Sequence, residues 1–448
     1  MEHILALTLL KFVSGQRIWH RKPGPRRHLN PHPPYSRMIS PQLCVRCKGR
    51  LWCGPKCFIL EKFEAHRKVT RKLVGKFFQG SSPPSVFVGW HGYPKVTIAP
   101  VSPPEILDNA GFMDEPDRWF GLSTEKIVQM RETLIQSKKP IDIHQAANPD
   151  YKLMEIQEVA MSAEPLDIEV ELEKAPEARL SFQESAAPIG MSAPLKKFKL
   201  TDNPKVLPKV EYLVSDSEAK SGTALLELYR AGVSVHSLTK LLSAGLLGVQ
   251  KRRKFVPTRW SITAVDSNVS KQLVDEKVKF YPTIDEYQLF QSHYLDNHFY
   301  VLLLPEKWCF EQLETWEPGG AWAVNASEPI IMADWEGYRG RKDYADDVAG
   351  AYYSARLAVA EHLVKEKRQA GCIVFREIGE GYSLPLGTWQ IRENVRNALK
   401  YPPMRFGDFA LVQAFLEKKL KTSFKAYKAK SKLLDKLTNQ RKLTAWLQ

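Results

Sequence analysis

Four cysteines, Cys44, Cys47, Cys53 and Cys57, fall within fourteen residues in the run CVRCKGRLWCGPKC. Two thiolates separated by two residues can chelate one ion from a tight turn. Four sulfurs suit tetrahedral zinc at about 2.3 Å, and Gly49 and Gly54 let the backbone wrap the ion. A site ligated entirely by protein leaves no open position for catalysis, so the role that follows is structural, ordering a basic segment with little core of its own. An iron–sulfur cluster and unligated thiols are the competing readings. Cys309 and Cys372 sit in apolar surroundings and read as ordinary buried thiols.

The chain ends NQRKLTAWLQ. Leu443, Trp446 and Leu447 stand at i, i+3 and i+4, one face of a single helical turn, and make a three-pronged apolar plug. Gln440 lies a turn earlier, where its amide can enter a separate polar pocket. The pattern is that of a peptide docking on the sliding clamp (PCNA) of replication. Burying the three side chains stabilises by about 1.5–3 kcal/mol each. Ordering a free tail opposes this and leaves roughly micromolar affinity, as suits a tether. The bland alternative is an amphipathic terminal helix that packs on its own protein.

Two further groups can do polar chemistry. In ADWEGYRGRKDYA, Asp334 and Glu336 share one face of a strand, and Arg339 and Arg341 another. With Arg376, Glu377, Gln390, Arg392 and Glu393 they can build a phosphate or metal pocket, which makes Asp334, Glu336, Arg339 and Arg341 the catalytic candidates of an enzyme reading. A sheet-to-helix ion-pair network explains the same residues. KRRKFVPTRW supplies Lys251, Arg252, Arg253, Lys254, Arg259 and Trp260, suited to phosphate contact and base stacking, with a solvated turn as the alternative. SSPPS with Gly89 and Gly92 offers a weak backbone anion cradle but lacks the ending of a Walker loop. No helicase, polymerase or dinucleotide fingerprint is present.

These residues need a scaffold, and 448 residues suffice for two domains or more. Hydrophobics at 44% and charged residues at 26% are globular proportions. The formal charge is +15 with a pI near 9.3, and its distribution is uneven. Residues 1–80 hold 17 Lys and Arg against three acids, and 411–448 hold ten against two. The body between is net acidic, so the basic ends are where a nucleic-acid partner or a merely solvated tail is expected. No apolar run approaches the roughly 18 residues of a membrane span, and the start lacks a signal peptide's basic n-region and cleavage site, so a cytoplasmic protein is expected.

The division expected is a basic leader over 1–37, with Met38 as the alternative start. A zinc module and basic helix follow over 38–80, then body parts over 81–270 and 271–410, then a Lys-rich helix and tail over 411–448. Strands are predicted around VFV and KVTIA in 80–104, at 298–308, 329–338 and 372–378, and in 253–266. Helices are predicted over 58–79, 123–138, 222–248, 346–370, 388–400 and 411–438. Mixed order without clean β-α alternation predicts the α+β class.

The cysteine cluster, GSSPPSVFVGWHGYPKV (80–96), DEPDRWFG (114–121), RKFVPTRWSITAVD (253–266), PLGTWQIRENVR (385–396) and the tail together resemble the archaeal Nre family, in order from about residue 40 to the end. The resemblance implies a part in DNA-damage repair and binding of the archaeal clamp through that tail. Trp90-His91 departs from the basic or aromatic pair expected ahead of GYP. The expected function is therefore a clamp-recruited repair protein; the alternative is a nucleic-acid- or nucleotide-processing enzyme centred on 334–341.

Overall fold

The computed structural model describes residues 40–47, 57, 75–176, 185–382 and 384–439. The leader, most of the 58–79 segment, Cys53 and the tail residues Gln440, Leu443, Trp446 and Leu447 lie outside them. The class is mixed α and β, with two six-stranded sheets and twelve α-helices among the described residues.

A short helix α1 (Pro41–Cys47) precedes the first sheet, built from β1 (Phe77–Ser82), β2 (Ser85–Val88), β3 (Lys95–Ser102), β4 (Ile135–Asp142), β5 (Leu166–Leu172) and β6 (Ser192–Leu200). The spatial order is β1-β5-β6-β4-β3-β2, with β4/β6 as its parallel pair. β5, LDIEVEL, alternates buried and half-buried residues along its length, the pattern of a strand with one face on a core. Helices α2 (Thr124–Glu132) and α3 (Tyr151–Met161) lie between its strands in sequence, and α2 is capped by Ser123.

A helical layer follows: α4 (Pro208–Ser215), α5 (Ser221–Arg230), α6 (Val235–Ser243) and α7 (Thr258–Glu276). The second sheet comprises β7 (Tyr287–Tyr294), β8 (Asn297–Leu304), β9 (Cys309–Trp316), β10 (Ile330–Glu336), β11 (Gly371–Ile378) and β12 (Met404–Phe406), in the order β10-β9-β11-β8-β7-β12. Between them run α8 (Gly350–Glu366) and α9 (Trp389–Ala398). One face of this sheet joins α7 and α8 in a core continuous with the first sheet. The other is covered by α10 (Phe409–Lys419), α11 (Phe424–Lys430) and α12 (Lys432–Asn439), whose Val412, Leu416, Phe424 and Tyr427 meet Leu302, Leu313 and Phe375. Sandwiched this way, β11 is buried at every position, which explains its apolar run over 372–375; its charged Arg376 and Glu377 are buried with partners. Gly350, Ala351, Ala355 and Ala358 are the small residues that let α8 lie close against α7 and α9.

Several predicted elements are corrected. The strand expected within 253–266 is the start of the 19-residue helix α7. Ile262, Thr263 and Val265 favour strand locally, but Ser261, Val265, Val269 and Leu273 keep a helical period that runs on past 266, and burial of that stripe decides. The helix predicted over 123–138 stops at Glu132, and Ile135 already belongs to β4. The single helix predicted over 411–438 is broken into three, with Leu420 and Ser431 in extended backbone at the breaks. There Lys421 and Thr422 donate their backbone N–H groups to Glu377 at 3.0 and 2.8 Å, and Ser431 bonds Glu311. Bonds to buried strand carboxylates outcompete helix continuation at both points. In the 58–79 segment, residues 77–79 belong to β1, not to a helix.

Candidate functional site

A partly enclosed pocket of about 80 Å³ lies where the first sheet, the helical layer and α9 meet. Its wall draws on four segments far apart in sequence. Ser85, Val86 and Phe87 come from β2, Asp114 and Pro116 from the turn after β3, Thr258 and Ile262 from α7, and Trp389 and Arg392 from α9. His236, Thr239 and Lys240 of α6 and Arg131 of α2 complete it. The first turns of α6, α7 and α9 all border the space. Helix N-termini carry partial positive charge and unpaired N–H groups, so three of them favour an anionic occupant.

The side chains reinforce that sign. Loss of water around the half-buried Asp114 pushes its carboxyl up, but Lys240 and Arg131 outweigh this and hold it below its ordinary value. Arg131 approaches it at 2.6 Å and Lys240 at 3.2 Å. Arg131 also donates to the carbonyls of Pro188 and Met113 and lies over the ring of Trp119, which meets Trp389 edge-on at 5.3 Å. Two cations, Arg131 and Lys240, therefore face one carboxylate in the wall, and Arg392, which also lines it, is paired with Asp266 behind.

Arg392 is locked from behind. Its Nη1 donates to both oxygens of Asp266 at 2.7 and 2.8 Å, and Ser354 donates to the same carboxylate at 2.6 Å. Its Nη2 lies 3.1 Å from His236 Nε2. A guanidinium can only donate, so Nε2 is the acceptor and the imidazole carries its proton on Nδ1. Burial, then Arg392 and Lys240, hold His236 well below its ordinary value, so the ring is neutral at pH 7. Its other side borders a wider open groove with Asp117, Tyr229 and Arg396.

At one rim sits the loop joining β2 to β3. Thr258 receives the Val88 N–H at 2.9 Å and pins the end of β2 to the start of α7. The next residue, Arg259, places its guanidinium 5.0 Å from the Trp90 ring, and Trp90 lies 4.0 Å from His91. Burial, Arg259 and Lys138 lower the His91 affinity for protons. The Trp90-His91 pair that departs from expectation thus forms a half-exposed aromatic platform beside cations.

The predicted basic segment divides between inside and outside. Lys251, Arg252 and Lys254 are exposed, but Arg253 is buried and donates to the carbonyls of Gly248, Val214 and Asp216. Trp260 is also buried, 5.1 Å from the Tyr93 ring, so of the two tryptophans here Trp90 is the one partly open to solvent.

Asp334 and Glu336 share the buried face of β10, as the strand period predicts. Asp334 accepts the Val348 N–H at 2.7 Å and pairs with Arg341 at 3.0 Å. Burial still pushes its carboxyl up to about 6. Glu336 pairs with Arg356 at 2.6 Å and accepts from Trp308 Nε1 at 3.0 Å. Arg339 is exposed beyond the strand end, and Arg341 caps the carbonyls of Trp335 and Tyr344. Arg376 bonds Glu314 and Asn297, Glu377 accepts from Lys421, Thr422 and Tyr427, and Glu393 pairs with Arg396. None of these residues except Arg392 lines the central pocket; Arg376 and Gln390 border a smaller cavity with Trp316, Trp322 and Tyr382.

Cys44, Cys47 and Cys57 are all buried, and Cys44 and Cys57 join the main core with Val45. Arg46 on the same helix pairs with Asp347 at 3.1 Å, so α1 sits against the second half of the chain. Arg131, His236 and Lys240 carry no local pattern that sequence reasoning detects. Asp114 stood in the DEPDRWFG segment, its only signal.

Two family models match, the Archaeal Nre, N-terminal model over residues 52–323 and the Archaeal Nre, C-terminal model over 336–446. The chain is similar to the DNA repair protein NreB of Archaeoglobus fulgidus, 39% identical over 355 residues, covering 79% of this chain and 87% of the relative. NreA of the same organism, also called a DNA repair protein, is 37% identical over 82% of this chain and 90% of the relative. The DNA repair protein NreA of Haloferax volcanii is 34% identical over 76% and 82%. No solved structure matches.

Proposed function

The chain belongs to the archaeal Nre family, and on that premise we propose that it works in DNA repair by receiving DNA at the central pocket. The observation that supports this best is convergence. The four internal segments that resemble the family, separated by up to 300 residues or so in sequence, supply Ser85, Asp114, Thr258 and Arg392 to a single cationic wall. Phosphate oxygens fit Lys240, Arg131 and the three helix N-termini, and a base released from its stack fits the Trp90 face. The basic ends of the chain add sequence-independent attraction that falls with salt.

Fluorescence anisotropy with labelled single-stranded and duplex DNA tests the reading. Salt-dependent binding is expected, weakened by Lys240→Ala or Trp90→Ala without loss of fold. Binding that is absent, or equally strong in both variants, removes the pocket from the function.

The tail supplies recruitment. Gln440, Leu443, Trp446 and Leu447 dock on the sliding clamp, and deletion of 440–448 abolishes co-elution with purified clamp while leaving the thermal midpoint unchanged. Co-elution of the truncated chain refutes this part. The cysteines Cys44, Cys47, Cys53 and Cys57 hold one zinc ion that fixes α1 and the basic segment behind it. The burial of three of them against the core supports a structural role. Metal analysis returning iron or no zinc refutes it.

A further inference from the structure

A second set of ligand-type side chains lies on the hairpin joining β7 and β8, in the sequence His293-Tyr294-Leu295-Asp296-Asn297-His298. His293 and His298 are directly opposed across the antiparallel ladder. Their rings stack at 4.1 Å, 18° from parallel. The two turn residues, Leu295 and Asp296, have φ of 52° and 51°, a left-handed pair that two-residue hairpins ordinarily assign to Asn-Gly. Neither is glycine here, so the turn keeps a carboxylate where a simpler turn would have none.

That carboxylate is oriented. Asp296 Oδ2 accepts the Gly381 N–H at 2.7 Å, and the Asp296 carbonyl accepts the Gly379 N–H at 3.0 Å. A Cβ at Gly379 or Gly381 would lie 2.2 or 2.9 Å from Oδ2, so both glycines are needed for this clasp. Oδ1 is left facing His298, 3.5 Å from Nε2. One ligand atom from each of His293, Asp296 and His298 lies within 4.8 Å of the others.

We infer that this hairpin binds one divalent ion of the zinc class through His293, His298 and Asp296 Oδ1, with the remaining position open to water. Two imidazoles and one carboxylate suit zinc, cobalt or nickel better than magnesium or calcium, which take oxygen ligands. Bonds of about 2.0–2.1 Å in a tetrahedron place donor atoms roughly 3.3 Å apart, close to the separation Asp296 and His298 already have. His293 is exposed and needs only a side-chain rotation to close the set. The Gly381 N–H performs the outer-shell duty that fixes a ligating carboxylate. Burial, then His293 and Lys421, favour the neutral, ligand-ready form of His298, while Lys421 itself is held by Glu317 at 2.9 Å. The site is separate from the cysteine cluster and independent of the DNA-binding reading.

The test loads the full chain with zinc, removes loose metal by desalting, and counts bound equivalents by elemental mass spectrometry. His293→Gln, at an exposed position, is expected to hold one equivalent fewer than wild type, whatever the cysteines hold. Cobalt substitution is expected to show d–d bands without sulfur charge transfer that vanish in the same variant. Gly381→Ala, which displaces the carboxylate but leaves all three ligands, is expected to weaken binding by roughly 10–100-fold. Equal zinc content and superimposable cobalt spectra in wild type and His293→Gln overturn the inference.

Discussion

Asp334 and Glu336 on β10 are buried and Asp114 beside the central pocket is half-buried; all three carboxylates face arginine, yet their surroundings differ in one respect. Each β10 carboxylate is enclosed by its own partners, Arg341 and the Val348 N–H for one, Arg356 and Trp308 for the other. Asp114 faces two cations at the edge of a space that protein does not fill, with a third, Arg392, across the wall. The lesson concerns how buried charge is read. Residue type does not separate a structural ion pair from a binding wall; a surplus of one sign against a cavity does.

The contrast predicts opposite balances of stability and binding. The largest effect is expected from Glu336→Ala, which leaves Arg356 charged in the core without its carboxylate and should cost about 3–5 kcal/mol by chemical denaturation. Replacing Glu336 and Arg356 together with apolar residues of similar volume should restore most of that. If the single change is mild, the β10 cluster is not a closed structural pair and the comparison fails.

Asp334 gives the next effect, through pH. Its folded value near 6 stands above an unfolded value of about 3.9. The folded state therefore holds this proton more tightly, and the stabilisation is full below the unfolded value and lost as pH rises through 6. Between pH 4 and 7 wild type should lose about 2–3 kcal/mol relative to Asp334→Asn, which keeps an acceptor for Val348. Parallel pH profiles of the two would contradict the burial described here.

At the pocket, the order of effects reverses. Trp90→Ala should weaken single-stranded DNA binding by about 1–3 kcal/mol, since a base loses its stacking face. Lys240→Ala should weaken binding by roughly tenfold and lower the salt slope by about one, with a smaller loss of folding stability. A Lys240 variant that unfolds but binds normally when folded would place it with the β10 residues.

Much of the second half was legible because its signals are local. The small-residue helix over 346–370, the apolar run of β11 and the alternation of β10 each carry their period within one element. α7 was misread because Ile262, Thr263 and Val265 favour strand locally, and only burial across a longer window settles the competition. The pocket was half visible. Asp114, Thr258 and Arg392 lay in segments already singled out, but nothing in sequence says that they meet, and Lys240, His236 and Arg131 enter only through the packing of α6 and α2. Arg253 and Trp260 show the reverse case, since a basic run with an aromatic resembles a nucleic-acid contact whether its members point outward or not.

The strand order of the second sheet sets a rule for anyone dissecting this chain. β7, β8 and β9 fall within the N-terminal family segment and β11 and β12 within the C-terminal one, β10 runs from the gap between the segments to the first residue of the second, and β11 inserts between β8 and β9. The two named halves are therefore not detachable modules. Expressed alone, the first would open a gap between two of its own strands and strand Asp266 without Arg392. Soluble fragments should be sought by trimming the ends, and a split protein should regain its shape only when both pieces are present while it folds.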